Sequence, residues 1–170
     1  MRRSVTLVAA AAAVFIVAFT ACAGGRAMTA DSGTQHRTLV VNDDPTPICV
    51  AVASSVAEQV VGLSKRQSLP PKEGMAFPFA TATQENFTMQ DTSFPLAIVW
   101  VGPSGQVLGS TPMSALARDP YPSPAPITLA VELSPQDWNP LAGTARTVSL
   151  GEACEGTVVA GSPGKPPQQF

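Results

Sequence analysis

Apolar and polar positions divide this chain into three regimes. Val5 to Phe19 is apolar apart from Thr6 and carries no charge. Ala23 to Asp44 contains Gly, Thr, Ser and Asp and shows no apolar period, which predicts a flexible tether. From Ile48 onward, short apolar runs alternate with Pro- and Gly-rich breaks, the pattern of short strands joined by stiff connections.

Within the third regime the elements follow from local chemistry. Ile48 to Ala53 (ICVAVA) is apolar with β-branched residues and predicts a strand. Ser55-Val56-Ala57-Glu58 is a capping box, and Val56, Val60 and Leu63 then recur at helical spacing, so a short helix is expected to end near Ser64. Leu69-Pro70-Pro71 opens a loop. Met75 to Phe79 and Phe87 to Met89 read as short strands. Leu96 to Val101 (LAIVWV) is continuously apolar and predicts a central strand. Gly102-Pro103-Ser104-Gly105 is turn chemistry, with Gln106 to Ser110 as the returning arm of a hairpin. Pro112 to Pro126 holds five prolines and is excluded from a central position. Ile127 to Leu133 and Thr144 to Leu150 complete the strands. The expected fold is mainly β (α+β): a compact domain of six to seven strands with one short N-terminal helix, spanning residues 45–159. The Pro/Gly-rich stretch 160–170 is expected to be a disordered tail.

The first regime reads as an address. Arg2 and Arg3 precede the apolar run, and Thr20-Ala21-Cys22 follows it, so residues 1–21 are expected to be a signal peptide. The small residues before Cys22 resemble the bacterial lipobox, although Phe19 stands where that pattern carries an aliphatic residue. The resemblance implies lipidation of Cys22 and a tether over residues 22–44, anchoring the domain to the outer face of the cell membrane. Several acyl chains, each contributing about 0.8 kcal/mol per buried CH₂, hold such an anchor firmly. A transmembrane anchor over Val5 to Ala23 and a freely secreted form are the alternatives.

Lipidation of Cys22 leaves Cys49 and Cys154 as an even pair, and in an oxidising compartment they are expected to form a disulfide. Charged residues make up only 13% of the chain, and the formal net charge is −2 without a Lys/Arg cluster, which excludes the usual footprint of nucleic-acid binding.

Several blocks along the domain, in order, resemble one family, the domain-of-unknown-function family 192. They are Gly62-Leu63-Ser64-Lys65-Arg66, Gly74-Met75-Ala76-Phe77-Pro78-Phe79, Phe87-Thr88-Met89-Gln90-Asp91-Thr92 and Pro95-Leu96-Ala97-Ile98, followed by Gly105, Val107, Pro112, Tyr121-Pro122 and Glu132-Leu133. The resemblance covers roughly Cys49 to Glu152. It implies a compact, mainly β fold with an early helix, often exported, and no established activity. This chain departs from the family pattern at Gln59, Thr88, Gln90 and Ala97, where the family carries Arg, Trp, Lys and Asp.

Candidate chemistry is sparse. The single histidine, His36, falls in the expected tether, which argues against a histidine-based catalytic site. No zinc spacing or phosphate-cradling loop occurs, and no cofactor is expected. Glu132 lies in an apolar strand and needs a partner if buried, with Arg66, Arg118 and Arg146 as candidates. Tyr121 in its proline frame and Trp138 in a polar connection are candidates for docking a protein or glycan of the cell envelope, or else for covering the ends of the sheet. Arg66, Asp91 and Glu132 are the residues expected to gather if a polar ligand site exists. The expected role is a non-enzymatic binding module attached to the membrane through a lipid anchor. The alternatives are a soft-metal handler using Met75, Met89 and Met113, or a minor hydrolase with a site not yet identified.

Overall fold

The computed structural model of this protein describes residues 33–161. The predicted signal peptide, Cys22, most of the predicted tether and all but the start of the predicted tail lie outside these residues. Nine strands and two helices occur among the described residues: β1 (Gln35–Val41), β2 (Asp44–Val52), α1 (Val56–Val61), β3 (Glu73–Thr83), β4 (Asn86–Phe87), β5 (Leu96–Val101), β6 (Val107–Met113), β7 (Tyr121–Pro122), β8 (Ile127–Leu133), α2 (Pro135–Ala142) and β9 (Val148–Ala153). Seven strands form one sheet in the order β6-β5-β8-β3-β2-β1-β9, and β4 pairs with β7 in a separate ribbon. Only β2 and β3 run parallel; their connection carries α1.

The sheet curls until its edges meet. Gln106 before β6 bridges Thr147 before β9, the Val107 amide donates to the Arg146 carbonyl at 2.9 Å, and the Val148 amide donates to the Gly105 carbonyl at 2.8 Å. This closure encloses the inner face of the central strands, while the segments between strands pack over the outer face. β5 is buried at all six positions, which explains its unbroken apolar sequence. Leu96, Ile98 and Trp100 pack on one face with Met75, Phe77, Met89 and Met113. Ala97, Val99 and Val101 pack on the inner face with Val50, Val131, Leu133 and Trp138.

The predicted strand and helix runs at β2, α1, β5, β6 and β8 are present, and the Ser55 capping box forms as expected. The Ser55 amide donates to the Glu58 carboxylate at 2.8 Å, and the Glu58 amide donates to the Ser55 hydroxyl at 3.3 Å. The described residues form nine strands rather than six to seven, β1 and β7 adding to those expected, and two helices rather than one. Three local differences are found. Residues 35–44 belong to the sheet rather than to a tether, because Leu39 and Val41 alternate inward while β1 pairs with both β2 and β9. His36 is accordingly fixed, its Nε2 lying 2.7 Å from the Val158 carbonyl. The connection around Trp138 is a second helix, α2, capped by the Ser134 hydroxyl accepting from the Asp137 amide and started by Pro135.

Asp137 fastens α2 to the chain before β3. Its carboxylate pairs with the Lys72 ammonium at 2.9 Å and accepts from the Lys72 amide at 3.0 Å and from the Ser134 hydroxyl at 2.8 Å. Burial alone would raise this carboxyl. The hydrogen bonds from Lys72 and Ser134 and the charge of Lys72 reverse that effect and hold it below its ordinary value.

Cys49 and Cys154 form a disulfide with a sequence separation of 105 residues. It joins β2 to the residue after β9, with β1 lying between those strands. Beyond it, residues 155–160 strap the outer face. Glu73 accepts from the amides of Thr157 and Val158 at 2.9 and 2.8 Å, and Val158 and Ala160 enter the same cluster as Leu63 and Met75. Closing so long a loop restricts the unfolded chain strongly. Replacing both cysteines with alanine is expected to lower unfolding free energy by about 2–5 kcal/mol, measured by urea titration against the oxidised parent.

Candidate functional site

The outer face is covered incompletely. α1 rests over it without burying any residue, and Val56 and Val60, whose helical spacing predicts a core-facing stripe, are 76% and 79% exposed. They rim a cleft of about 430 Å³ between α1, β3, the β4 segment and β8. Three aromatic rings follow in series here, Phe77 and Phe87 on the cleft and Trp100 behind them in the core. Phe77 meets Phe87 edge-on with centroids 5.0 Å apart, and Phe87 meets Trp100 in the same manner at 5.5 Å. Phe79 adds a further ring to the cleft wall. The Trp100 indole N–H donates to the Thr111 hydroxyl at 3.0 Å, so that side chain is satisfied within the fold.

Glu132 reaches the cleft from β8. Its cross-strand neighbours are Met75 on β3 and Ile98 on β5, both fully buried on the outer face. The residue is 4% exposed, and no described side chain or backbone amide donates to its carboxyl group. Burial pushes its pKa from 4.5 up to about 8, which favours the neutral form of the group near neutral pH. The expected arginine partners do not reach it. Arg66 donates instead to the Val159 carbonyl, with its Nε buried and unpartnered, and burial lowers its pKa while Glu73 opposes that shift.

The cleft is built by local backbone geometry. Gly62 ends α1 with φ of 51°, a conformation glycine adopts without strain, and turns the chain past Leu63 and Ser64. Lys65 and Asp91 both take left-handed conformations, and the Lys65 amide donates to the Asp91 carbonyl at 2.6 Å. The Ser93 hydroxyl donates to the Arg66 carbonyl at 3.2 Å, joining the same two turns. On the other side, Glu85 and Ser123 exchange hydrogen bonds of 2.8 and 3.1 Å and hold the β4–β7 ribbon in place.

The structure separates the residues expected to gather. Glu132 lines this cleft, while Asp91 lines a neighbouring concavity with Leu116 and Arg118, and Arg66 lines neither. Thr88 and Gln90 border both spaces. Trp138 is not a docking residue: it is 1% exposed on the inner face, and its indole N–H lacks a partner. Tyr121 is half-buried against the outer-face cluster, and its hydroxyl accepts from the Ser114 amide at 3.1 Å. Met75, Met89 and Met113 are fully buried in that same cluster. Gln59, Thr88 and Gln90, three of the four departures from the family pattern, line the cleft, whereas Ala97 is buried on the inner face. Nothing in the sequence pointed to Phe79, Glu85 and Asn86 as neighbours of α1, because only the fold places β4 beside that helix.

Glu132 makes stability depend on pH. Below about pH 4.5 the carboxyl is neutral in the folded and unfolded chains alike. As pH rises from there to about 8, the unfolded chain releases this proton and the folded chain retains it, so stability falls through that window and then levels off. Glu132→Gln is expected to remove this slope and to stabilise the domain by a few kcal/mol near pH 8, read from urea midpoints measured across the window.

Comparison with known proteins places this geometry in a family. A structure provisionally described as a transcription regulator from Sinorhizobium meliloti 1021 superposes with a TM-score of 0.60 at 20% identity, covering 71% of this chain and 93% of that one. A protein of unknown function from Novosphingobium aromaticivorans DSM 12444 superposes with a TM-score of 0.58 at 23% identity, covering 69% and 84% respectively. These likenesses show a shared fold. No curated protein matches the chain. The model of one family, described as an uncharacterized ACR, matches residues 38–142, more than half of the sequence, and the chain therefore belongs to the DUF192 family.

Proposed function

We propose that this domain is a binding module that takes a small molecule in the cleft above Glu132. The observation that carries the reading is a carboxyl group buried in mid-sheet, facing a cleft, with no described group donating to it. Holding a carboxyl group out of bulk water disfavours its charged form, and a fold does not require that cost at a position between Met75 and Ile98. A ligand supplies the missing partner. The volume of about 430 Å³ lies within the range of small-molecule sites, and apolar walls with a few polar groups match their usual character. Binding is favoured over turnover because the lining holds no histidine or lysine to act with Glu132.

The module is displayed outside the cytoplasm and held at the membrane by lipidated Cys22. The Cys49–Cys154 disulfide supports an oxidising compartment. Among the described residues no helix is long and apolar enough to cross a membrane. In a bacterial host, metabolic labelling with an alkyne-tagged palmitate is expected to mark the parent chain and not Cys22→Ala; equal labelling of both overturns the anchor.

The cleft reading is tested by methyl NMR with phenol, indole and benzyl alcohol as probes. Shifts are expected at Val56, Val60 and Leu63, beside the cleft, and not at Val50 or Val131 on the inner face. The absence of any selective shift at about millimolar probe, the weak-binding regime, overturns the reading.

A further inference from the structure

We infer that the cleft selects an organic cation with an apolar body, seated with its charge at Glu132 and its body against Phe77, Phe79 and Phe87. This inference rests on the cleft being a binding site and names the chemical class it accepts.

Charge is the first argument. The ionisable residues lining the cleft are Glu132 on β8 and Glu85 before β4. No lysine, arginine or histidine lines it from α1, β3, the β4 segment or β8. The remaining carboxylate of α1, Glu58, is turned back on Ser55 in the capping box. An anionic ligand would meet two carboxyl groups and no compensating charge.

Hydrogen-bonding capacity is the second. Both amide hydrogens of Gln59 serve the fold, since its Nε2 donates to the Ala53 carbonyl at 3.2 Å and to the Pro78 carbonyl at 3.0 Å. What remains on that side chain is an acceptor. Ser64, Asn86, Thr88, Gln90 and Thr92 carry both donors and acceptors, whereas the free oxygen of Gln59 and the ionised carboxylates of Glu132 and Glu85 only accept, which suits a donor-rich ammonium or guanidinium group.

The walls are the third. Phenyl faces attract a cation by about 0.5–2 kcal/mol when water is displaced, and Phe77, Phe79 and Phe87 all border this cleft. A bare metal ion is a poorer occupant. Among the described residues no group of three or more His, Cys, Asp or Glu side chains gathers, and hard cations need more oxygen ligands than two carboxyls supply.

In the free protein a proton neutralises Glu132. A bound cation takes over that role, so binding near neutral pH expels one proton to solvent and strengthens as pH rises toward 8. Glu85 is the other carboxyl on the cleft.

Three probes of similar shape decide the matter on the full mature chain with its disulfide intact: phenethylamine, 2-phenylethanol and phenylacetate. Affinity is read from the methyl shifts of Val56, Val60 and Leu63. The amine is expected to bind roughly tenfold or more tightly than the alcohol, with phenylacetate weakest, and Glu132→Gln is expected to remove the preference. In a second arm, benzyltrimethylammonium carries a charge that does not titrate, so its pH dependence belongs to the protein. Its affinity is expected to rise roughly tenfold or more between about pH 6 and about pH 9. An alcohol that binds as tightly as the amine, or a flat pH profile, overturns the cation assignment and leaves cleft binding standing. No shift with any probe overturns both. If Glu132→Gln does not fold, the pH profile of the parent chain decides.

Discussion

A sheet buried on both faces has to be covered twice, and that constraint organises this protein. The strands curl until Gln106 meets Thr147, which leaves an inner face around Val50, Val99 and Leu133 and an outer face around Met75, Ile98 and Trp100. α2 caps the inner face by inserting Trp138, and Asp137 fixes that helix through Lys72. The outer face is covered piecemeal by α1, the β4–β7 ribbon and the strap that follows Cys154. Where these pieces fail to meet, the cleft opens, and Glu132 lies under the gap. The site is therefore a product of incomplete coverage over a fully formed sheet.

Some of this was legible in the residues. A run with no polar position, as in Leu96 to Val101, has few solutions other than burial on both faces. The Ser55–Glu58 capping box is local chemistry and needs no tertiary context. β1 was hidden because His36, Arg37 and Thr38 precede its inward pair, Leu39 and Val41, and because Gly- and Thr-rich sequence leads into it. α2 was hidden by its two prolines. Its start was nonetheless written in Ser134-Pro135-Gln136-Asp137, a capping serine followed by proline at the first helical position. Pro140 sits inside the helix, in its last turn.

The site was legible only in part. Glu132 stands out in any reading as a carboxylate within an apolar strand; the structure buries it and denies it the arginines named as partners for that case. Val56 and Val60 show how a period can mislead: the spacing is helical and the helix forms, but the apolar stripe borders open space rather than core. Periodicity reports which residues share a face and carries no information about what that face meets. The nearness of Glu85 and Phe87 to α1 depends on the β4–β7 ribbon, a long-range pairing that local sequence does not encode.

The strap after β9 bears on what counts as the folding unit. The family pattern ends at residue 142, within α2, yet β9, Cys154, Val158 and Ala160 all lie beyond that point and all contribute to covalent or apolar closure of the domain. Gly156 passes so close to His36 and the Cys49 sulfur that a larger residue would be crowded there, which ties this late segment to the earliest strands. Recognition at the level of the family and integrity at the level of the fold thus have different borders. The covalent and apolar closure of the outer face therefore rests on residues outside the stretch by which the family is recognised.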